Sequence, residues 1–222
     1  MSQSPDAILF DLDGTLLDTA KDLGNALNQI LADQQLPSVD YATYRNIASD
    51  GAKGMLELGF GEALKKLNFT QLRQQFLTNY ENKICVDTCF FPGVETLLLT
   101  LNKNNIPWGI VTNKPEYLTL ELVKYFPLLE NCQVIISGDT LSERKPHPLP
   151  LLHAQQKLNL NSPNTWYIGD AERDIQAAIN AKMFSVIAAY GYIDKKTIID
   201  NWKADLCIKH AADLISYLPC SD

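Results

Sequence analysis

Short apolar runs alternate along the chain with longer segments whose apolar residues recur at helical spacing. One such segment has apolar residues at Val94, Leu97, Leu98 and Leu101. Five runs have the length and continuous apolar character of strands buried on both faces. In chain order they are Ala7 to Phe10, Trp108 to Val111, Val134 to Ser137, Trp166 to Ile168 and Phe184 to Ala188. Their alternation with helices predicts an α/β fold built on a doubly wound parallel sheet. A last strand at Asp205 to Ile208 and a closing helix through Leu218 are expected to complete it.

The stretch from 18 to 91 interrupts this alternation. It contains no strand pattern and is too long for a single crossover, so it predicts an inserted, all-helical domain. Phe91-Pro92-Gly93 then marks the return to the sheet. We therefore assign residues 1–17 and 92–222 to the α/β core and residues 18–91 to a small helical cap domain.

Three helices are expected inside the insertion. The first ends before Pro37, and its apolar face is formed by Leu23, Leu27, Ile30 and Leu31. The second is expected to have Asp40 as its N-cap and to be ended by Gly51 and Gly54. The last is expected to begin with Thr70 as N-cap, and its apolar face is formed by Leu72, Phe76, Tyr80 and Ile84.

The composition narrows the class of protein. Of the 222 residues, 46% are hydrophobic and 20% are charged, proportions that are typical of globular proteins and exclude extensive disorder. Asp and Glu number 26 against 19 for Lys and Arg, so the net charge is −7. This balance argues against a general binder of nucleic acid or of anionic membranes.

The sequence also indicates a compartment. No apolar stretch approaches the ~20 residues that span a bilayer, and the first residues lack the basic and apolar regions of a secretory signal. The cysteines number five, and an odd count in a chain of this size favours reduced thiols over a disulfide framework. A cytoplasmic protein is therefore expected.

Two carboxylates follow the first predicted strand directly. Asp11 and Asp13 lie at its carboxyl end, which is where open α/β sheets bind their ligands. Carboxylates this close repel one another in a partly desolvated crevice unless a cation neutralises them, and Mg²⁺ is the natural candidate for oxygen ligands. Gly14 allows the backbone to turn tightly. The local alternative is an acidic loop that caps the next helix.

Polar residues follow three later strands in the same way. They are Thr112 and Asn113 after the second strand, Lys145 after the third, and Asp170 with Asp174 after the fourth. Each has a local explanation, as a turn residue, a surface charge or an acidic first turn of a helix. Because the carboxyl ends of parallel strands meet at one edge of a sheet, the set together predicts a single site that combines carboxylates, a hydroxyl and an ammonium.

In this order, the four motifs resemble those of the haloacid dehalogenase superfamily phosphatases. The resemblance is to members with a small helical cap, of the phosphoglycolate phosphatase type, and it covers the whole chain. It implies a Rossmann-like core, Mg²⁺ as cofactor, and hydrolysis of a phosphate monoester through an aspartyl-phosphate. Asp11 would be the nucleophile, and Asp13 the general acid and then the general base.

The resemblance also assigns the other site residues. It implies that the substrate phosphate is bound by Thr112, Asn113 and Lys145. It implies that Mg²⁺ is bound by Asp11, Asp13 and Asp170, with Asp13 using its backbone carbonyl. Asp174 would support the metal, either directly or through water.

One position departs from the family pattern. Lys182 ends the helix after the fourth motif, where relatives usually have glycine. If that position requires a positive φ, lysine costs about 1 kcal/mol there without touching a catalytic role.

Four longer sequence segments indicate a substrate. A resemblance to the N-acetylmuramic acid 6-phosphate phosphatases of bacterial cell-wall recycling is carried by residues 109–115, 138–141, 167–176 and 190–193. It implies that ester as the substrate, with 2-phosphoglycolate as the alternative, because phosphoglycolate phosphatases share much of the same core.

Both candidate esters carry a carboxylate. Lys53, in a glycine-flanked turn between cap helices, is either the cation that meets this carboxylate or a solvated surface lysine, and Arg45 is a weaker candidate.

Two other functions remain open at this point. A sugar phosphomutase of the same family would use the same aspartate and acid, but it would isomerise its substrate through a bisphosphorylated intermediate. A receiver domain of a two-component system also combines a doubly wound sheet with Asp, Thr and Lys, and would make the chain a non-enzymatic phospho-acceptor. Its phosphorylated Asp ends a later strand, however, and its fold has no place for the insertion.

The expected partner is a small phosphate ester, with no nucleic acid or membrane, bound by a monomer or homodimer.

Overall fold

A computed structural model describes residues 4–158 and 164–219 of the chain, and its strands confirm the predicted α/β class. The strands are β1 (Ala7–Phe10), β2 (Leu17–Asp18), β3 (Cys89–Phe90), β4 (Trp108–Val111), β5 (Ile135–Ile136), β6 (Thr165–Gly169), β7 (Phe184–Ala188) and β8 (Leu206–Ile208). Six of them form one sheet in the order β5-β4-β1-β6-β7-β8, and every pairing in it is parallel. β2 and β3 form a separate two-stranded sheet.

Helices connect these strands. The α-helices of the described residues are α1 (Ala20–Asp33), α2 (Tyr41–Arg45), α3 (Gly51–Phe60), α4 (Phe69–Glu81), α5 (Val94–Lys103), α6 (Glu116–Val123), α7 (Leu149–Lys157) and α8 (Glu172–Ala181). Shorter 3₁₀ helices cover Ala48–Asp50, Gly61–Lys66, Pro127–Asn131, Ile199–Trp202 and Ala211–Tyr217. None of the helices in this part of the chain has the length and apolar character that crossing a bilayer requires.

The centre of the sheet is its most apolar part. β1 lies between β4 and β6, with Ile8 opposite both Trp108 and Trp166. All residues of these three strands are buried, since helices cover both faces of a doubly wound sheet. This burial explains why continuous apolar runs mark the strands along the sequence. The three strands deliver the residues that follow them to one edge of the sheet.

An edge strand of the sheet and the helix near the C-terminus differ from the predicted elements in length and in type. The predicted strand from Val134 to Ser137 is reduced to β5, because Ser137 N donates to the Thr140 hydroxyl at 2.9 Å and the chain turns there. The predicted closing helix is a 3₁₀ helix, Ala211–Tyr217, rather than an α-helix, and it still buries Leu214.

The chain forms two compact units. The first comprises Met1–Leu17 and Phe90–Asp222 and contains the six-stranded sheet. The second, Asp18–Cys89, contains α1 to α4, with α1 packed against the other three. The chain passes from one unit to the other inside β2 and again inside β3. The predicted insertion, 18–91, ends two residues later than the second unit, and its role as a cap stays a prediction.

The helices of the second unit correct two predictions. Asp40 caps α2 as expected, and its side chain accepts from Thr43 N at 3.0 Å. Gly51 caps the end of the 3₁₀ helix Ala48–Asp50 with φ of 58°, but it also begins α3, and Gly54 lies inside α3 and ends no helix. Gly54 faces the Cβ of Asp50 so closely that any side chain would collide with it. The cost of a helical glycine, about 1 kcal/mol, is offset by buried apolar residues of α3 such as Met55.

The start of α4 is the second correction. Its N-cap is Asn68, whose side chain accepts from Gln71 N at 3.2 Å, whereas the predicted cap Thr70 lies inside the first turn. Asparagine is a more favourable N-cap than threonine, so α4 begins after Asn68 and not after Thr70. The predicted apolar face is buried, including Ile84 beyond the helix end.

The cysteines of the described residues are free thiols. They are Cys85, Cys89, Cys132 and Cys207, and the fifth, Cys220, lies outside the described residues. Burial raises the pKa of the Cys132 thiol to about 12.

Candidate active site

The predicted site residues meet at the carboxyl edge of the central strands. Asp11 follows β1 and its N–H donates to Ile168 O of β6 at 2.9 Å. Thr112 follows β4 and its N–H donates to Ile136 O of β5 at 2.9 Å. Asp170 follows β6. The backbone ladder therefore continues one residue beyond the strands and fixes where these side chains begin.

Three buried carboxylates form a cluster. Asp11, Asp170 and Asp174 each offer an oxygen, and these oxygens lie within 4.8 Å of one another. Asp170 is oriented by Tyr192 N, which donates to its Oδ2 at 2.9 Å, and by the Thr15 hydroxyl at 3.3 Å from Oδ1. Like charges at such distances require compensation.

Lys145 supplies part of that compensation. Its Nζ lies 2.9 Å from Asp11 Oδ1 and 2.8 Å from Asp174 Oδ1, and its side chain is wholly buried. The same ammonium donates to Val111 O at 2.9 Å and to the Tyr167 hydroxyl at 2.7 Å. Lys145 thus joins the residue after β1 to the first turn of α8.

Burial is the largest influence on the pKa values of Asp11 and Tyr167. It raises the pKa of Asp11, an effect that the Lys145 ammonium opposes and the Asp174 carboxylate reinforces. Burial also raises the pKa of Tyr167 well above its ordinary value, so that side chain is a neutral phenol. Its hydroxyl donates to Val111 O at 2.8 Å and accepts from Lys145.

Asp13 and Lys114 form a second ion pair. Lys114 Nζ lies 3.1 Å from Asp13 Oδ1 and 3.3 Å from Oδ2. The lysine side chain is 5% exposed and that of Asp13 is 16% exposed. Asp13 is therefore the carboxylate of the site that lies nearest to solvent.

The donor set fits a hard divalent cation. The three clustered ligand atoms are carboxylate oxygens, the type that Mg²⁺ prefers. Four carboxylates of the site are opposed by the ammonium groups of Lys114 and Lys145 and by the guanidinium of Arg173, whose charge lowers the pKa of Asp11, so a further cation would balance the negative charge that remains. The Asp13 carboxylate is outside the cluster, so a metal contact from Asp13 would use its backbone carbonyl.

Asn113 connects two of the predicted motifs. Its Nδ2 donates to Lys145 O at 2.9 Å, and its Oδ1 accepts from Lys145 N at 3.1 Å. The side chain therefore holds the backbone of Lys145 in place. A phosphate contact from Asn113, which stays a prediction, would come from its backbone N–H or from the second hydrogen of Nδ2.

Gly14 is required by close packing. It has φ of +85°, and a Cβ at this position would collide with the Asp170 carboxylate. Only glycine lets the loop after β1 approach the loop after β6 this closely.

Lys53 does not lie in the predicted turn. It occupies the first turn of α3, its side chain is 73% exposed, and its Nζ lies 3.8 Å from Glu57 Oε1. The prediction of a glycine-flanked turn is wrong because residues 51–54 continue into a helix. Arg45 is the last residue of α2. A substrate contact by either residue stays a prediction.

Sequence reasoning missed two contributors, Lys114 and Tyr167. Lys114 directly follows Thr112 and Asn113, so its place in the motif was a signal. The hydroxyl of Tyr167 inside an otherwise apolar strand was another, because a buried polar atom needs a partner. Neither signal indicates which distant side chain is the partner.

Comparison with known proteins agrees with this arrangement. Residues 8–188 match the family of haloacid dehalogenase-like hydrolases. A phosphoglycolate phosphatase from Xanthomonas campestris is 41% identical over 210 residues, covering 95% of each chain. An N-acetylmuramic acid 6-phosphate phosphatase from Pseudomonas putida is 36% identical over 208 residues, covering 94% of this chain and 93% of the relative. The crystal structure of a predicted phosphoglycolate phosphatase from Haemophilus somnus superposes with a TM-score of 0.84 at 28% identity, covering 95% of this chain and 96% of that one.

Proposed function

Because the chain belongs to the haloacid dehalogenase-like hydrolase family and is one of its phosphatases, we propose that it hydrolyses a carboxylate-bearing phosphate monoester through an aspartyl-phosphate on Asp11. The observation that carries this proposal is the pairing of two carboxylates in different surroundings at the end of β1. Asp11 is buried against Lys145, while Asp13 lies nearer to solvent.

In the first step, Asp11 attacks phosphorus. Its Oδ1 accepts from Leu12 N at 2.8 Å and faces Lys145, so we assign the attack to Oδ2. The new bond joins Oδ2 to phosphorus, and the bond from phosphorus to the ester oxygen breaks. Asp13, which must take up a proton in place of its ion pair with Lys114 before this step, transfers that proton to the ester oxygen, and the alcohol leaves.

In the second step, water replaces Asp11. The Asp13 carboxylate takes a proton from the attacking water, whose oxygen bonds to phosphorus as the bond to Asp11 breaks. The sum is one ester and one water converted to one alcohol and one phosphate. Asp11 returns to a carboxylate and Asp13 to its protonated form.

The surrounding groups stabilise the phosphoryl charge. Lys145 and the Thr112 hydroxyl are assigned to phosphoryl oxygens, and both are buried at the rim, where electrostatic interactions are strong. Mg²⁺, held by Asp11, Asp170 and the Asp13 carbonyl with Asp174 in support, would neutralise negative charge on the transferring group.

Two esters are candidates for the substrate. N-acetylmuramic acid 6-phosphate is supported by the motif strings 109–115 and 167–176 and by the name of the Pseudomonas putida relative. The second candidate is 2-phosphoglycolate, supported by the name of the Xanthomonas campestris relative.

The test is phosphate release from both esters in parallel, with Mg²⁺ and with EDTA. We expect one ester to show a kcat/KM at least about tenfold above the other, and Asp11→Asn to lose at least about a thousandfold, as removal of a nucleophile does. The matched control is Asp200→Asn, the same change at an exposed aspartate, which should keep full activity.

Each outcome bears on a different part of the proposal. Release from one ester that depends on Mg²⁺ and on Asp11 supports the mechanism and identifies the substrate. Isomerisation without phosphate release would replace hydrolysis by a mutase reaction. Turnover that survives Asp11→Asn would refute the aspartyl-phosphate.

A further inference from the structure

Lys114 is a buried cation to which none of the motifs assigned a role. Its side chain is 5% exposed, and a buried ammonium is costly unless an opposite charge compensates it. Its Nζ contacts both carboxylate oxygens of Asp13, at 3.1 and 3.3 Å, across 101 residues of sequence. The more exposed of the two groups, Asp13, is thus tied to a fixed, buried partner.

The backbone around Lys114 is held on both sides. Its N–H donates to the Thr112 hydroxyl at 3.2 Å, and its carbonyl accepts from Gly138 N at 2.8 Å. A Cβ on Gly138 would collide with the backbone of Asn113, so the two loops pack without space between them. Lys114 therefore extends from a backbone with little freedom to move.

The proposed mechanism makes unusual demands on Asp13. The same carboxyl group must first reach the leaving oxygen and then the attacking water, at nearly the same place. Proton transfer needs heavy atoms within hydrogen-bond reach, about 2.6–3.2 Å, and small displacements lower the rate steeply. A carboxylate on a solvent-facing loop would otherwise sample several rotamers.

From these observations we propose that Lys114 is a positioning residue that holds the Asp13 carboxyl group at the place where protons are transferred; this inference rests on the proposed phosphatase mechanism. One loop then supplies both the Thr112 hydroxyl to the phosphoryl group and the Lys114 ammonium to the acid. The position of the acid is thereby tied to the position of the phosphate. Lys145 contacts the nucleophile Asp11 and Asp174 instead, so a different buried lysine lies against each of the two proposed catalytic aspartates.

The experiment uses the dependence on leaving group. An alkyl ester has a strongly basic leaving oxygen that needs the acid, whereas the p-nitrophenolate of p-nitrophenyl phosphate leaves with little protonation. The probes are N-acetylmuramic acid 6-phosphate, 2-phosphoglycolate and p-nitrophenyl phosphate, each with Mg²⁺. The measured quantity is kcat/KM, which reports steps up to the first displacement. We compare wild type, Lys114→Met, Asp13→Asn and the double variant.

We expect Lys114→Met to lower kcat/KM for the alkyl ester about 30- to 100-fold, a part of the roughly 10²–10⁴-fold that general acid catalysis supplies, and for p-nitrophenyl phosphate by less than about fivefold. We expect the double variant to lose less than about twofold beyond Asp13→Asn, because a residue that acts through Asp13 has no effect once the acid is gone. The matched control is Lys124→Met, which removes the exposed lysine that directly follows α6 and pairs with Glu121, and it should leave every kcat/KM unchanged.

Three results would overturn the inference. Equal losses on alkyl and aryl esters would show a merely structural role. A full additional loss in the Asp13→Asn background would make Lys114 a substrate contact. Absence of phosphate release by wild type from every ester would remove the proposed function itself, and with it this inference. If Lys114→Met does not fold, Lys114→Gln, which keeps hydrogen-bond donors without the charge, is tested against the same criteria.

Discussion

At the residue scale, the Lys145 ammonium shows how one buried charge orders several groups. It bridges Asp11 and Asp174 and also donates to a backbone carbonyl and to Tyr167. Breaking a buried pair by removing one partner costs about 3–5 kcal/mol, because the remaining charge is left uncompensated. The geometry of the nucleophile and the stability of the core therefore depend on the same contacts.

Lys182 carries a conformational cost that can be measured. It caps the end of α8 with φ of 58° and ψ of 33°. This is the left-handed conformation that glycine usually adopts at the end of a helix. We expect Lys182→Gly to raise the free energy of unfolding by about 1 kcal/mol, since glycine adopts this conformation without a Cβ clash. Urea unfolding measures the change.

Lys182→Ala is the matched control for that variant. Alanine removes the long side chain but keeps the Cβ, so it should gain little. Equal stability of the glycine and alanine variants would show that the backbone conformation is not the source of the cost.

At the element scale, α1 organises the segment that leads out of the second unit. Asp22, in its first turn, is buried, and its carboxylate accepts from the N–H groups of Val86, Asp87 and Thr88 and from the Thr88 hydroxyl at 2.6 Å. One side chain thus satisfies several backbone donors of a segment that has no regular secondary structure of its own.

We expect Asp22→Asn to destabilise the second unit by about 2–3 kcal/mol. Asparagine has one acceptor oxygen instead of two, and its NH₂ group would face backbone donors that are left without partners. Hydrogen exchange should become faster at the amides of 86–88, and urea unfolding should shift to lower concentration.

Asp33→Asn is the control on the same helix. That carboxylate is exposed and accepts only from the side chains of Gln29 and Gln75 among the contacts resolved for it. Unchanged exchange at 86–88 in Asp22→Asn would contradict the anchoring role of Asp22.

At the scale of the whole molecule, metal binding should be linked to stability. A ligand that binds only the folded state at 100 times its Kd adds about 2.7 kcal/mol, which for a chain of this length corresponds to a rise of roughly 5–10 °C in Tm. We expect Mg²⁺ to raise the Tm of the wild type by several degrees, and EDTA to reverse the rise. Differential scanning fluorimetry measures it without any substrate.

The Asp170→Asn variant tests whether Mg²⁺ binds at the carboxylate cluster or elsewhere on the protein. It removes one carboxylate of the cluster and should abolish most of the shift, while Asp200→Asn, at an exposed position, should retain it. A shift of equal size in both variants would place the metal elsewhere.

The strands show which parts of the fold are predictable. β1, β4 and β7 have the predicted bounds, because strands buried on both faces leave a continuous apolar run in the sequence. β5 is shorter than predicted, and α3 begins at Gly51, where the sequence predicts the end of a helix. In both cases the outcome depends on a contact, the Thr140 hydroxyl in one and the close approach of Gly54 to Asp50 in the other.

The order of strands and helices can be predicted from the chain alone, because periodicity and chain order are local properties. The same holds for the placement of Asp11, Thr112, Lys145 and Asp170 after their strands. Which residues pair depends on the tertiary structure: Lys114 pairs with Asp13, and Asn113 binds the backbone of Lys145. Those partners are separated by 101 and 32 residues. Such pairings arise from the strand order of the sheet and from the need of buried charges for partners, and neither is written in a local pattern.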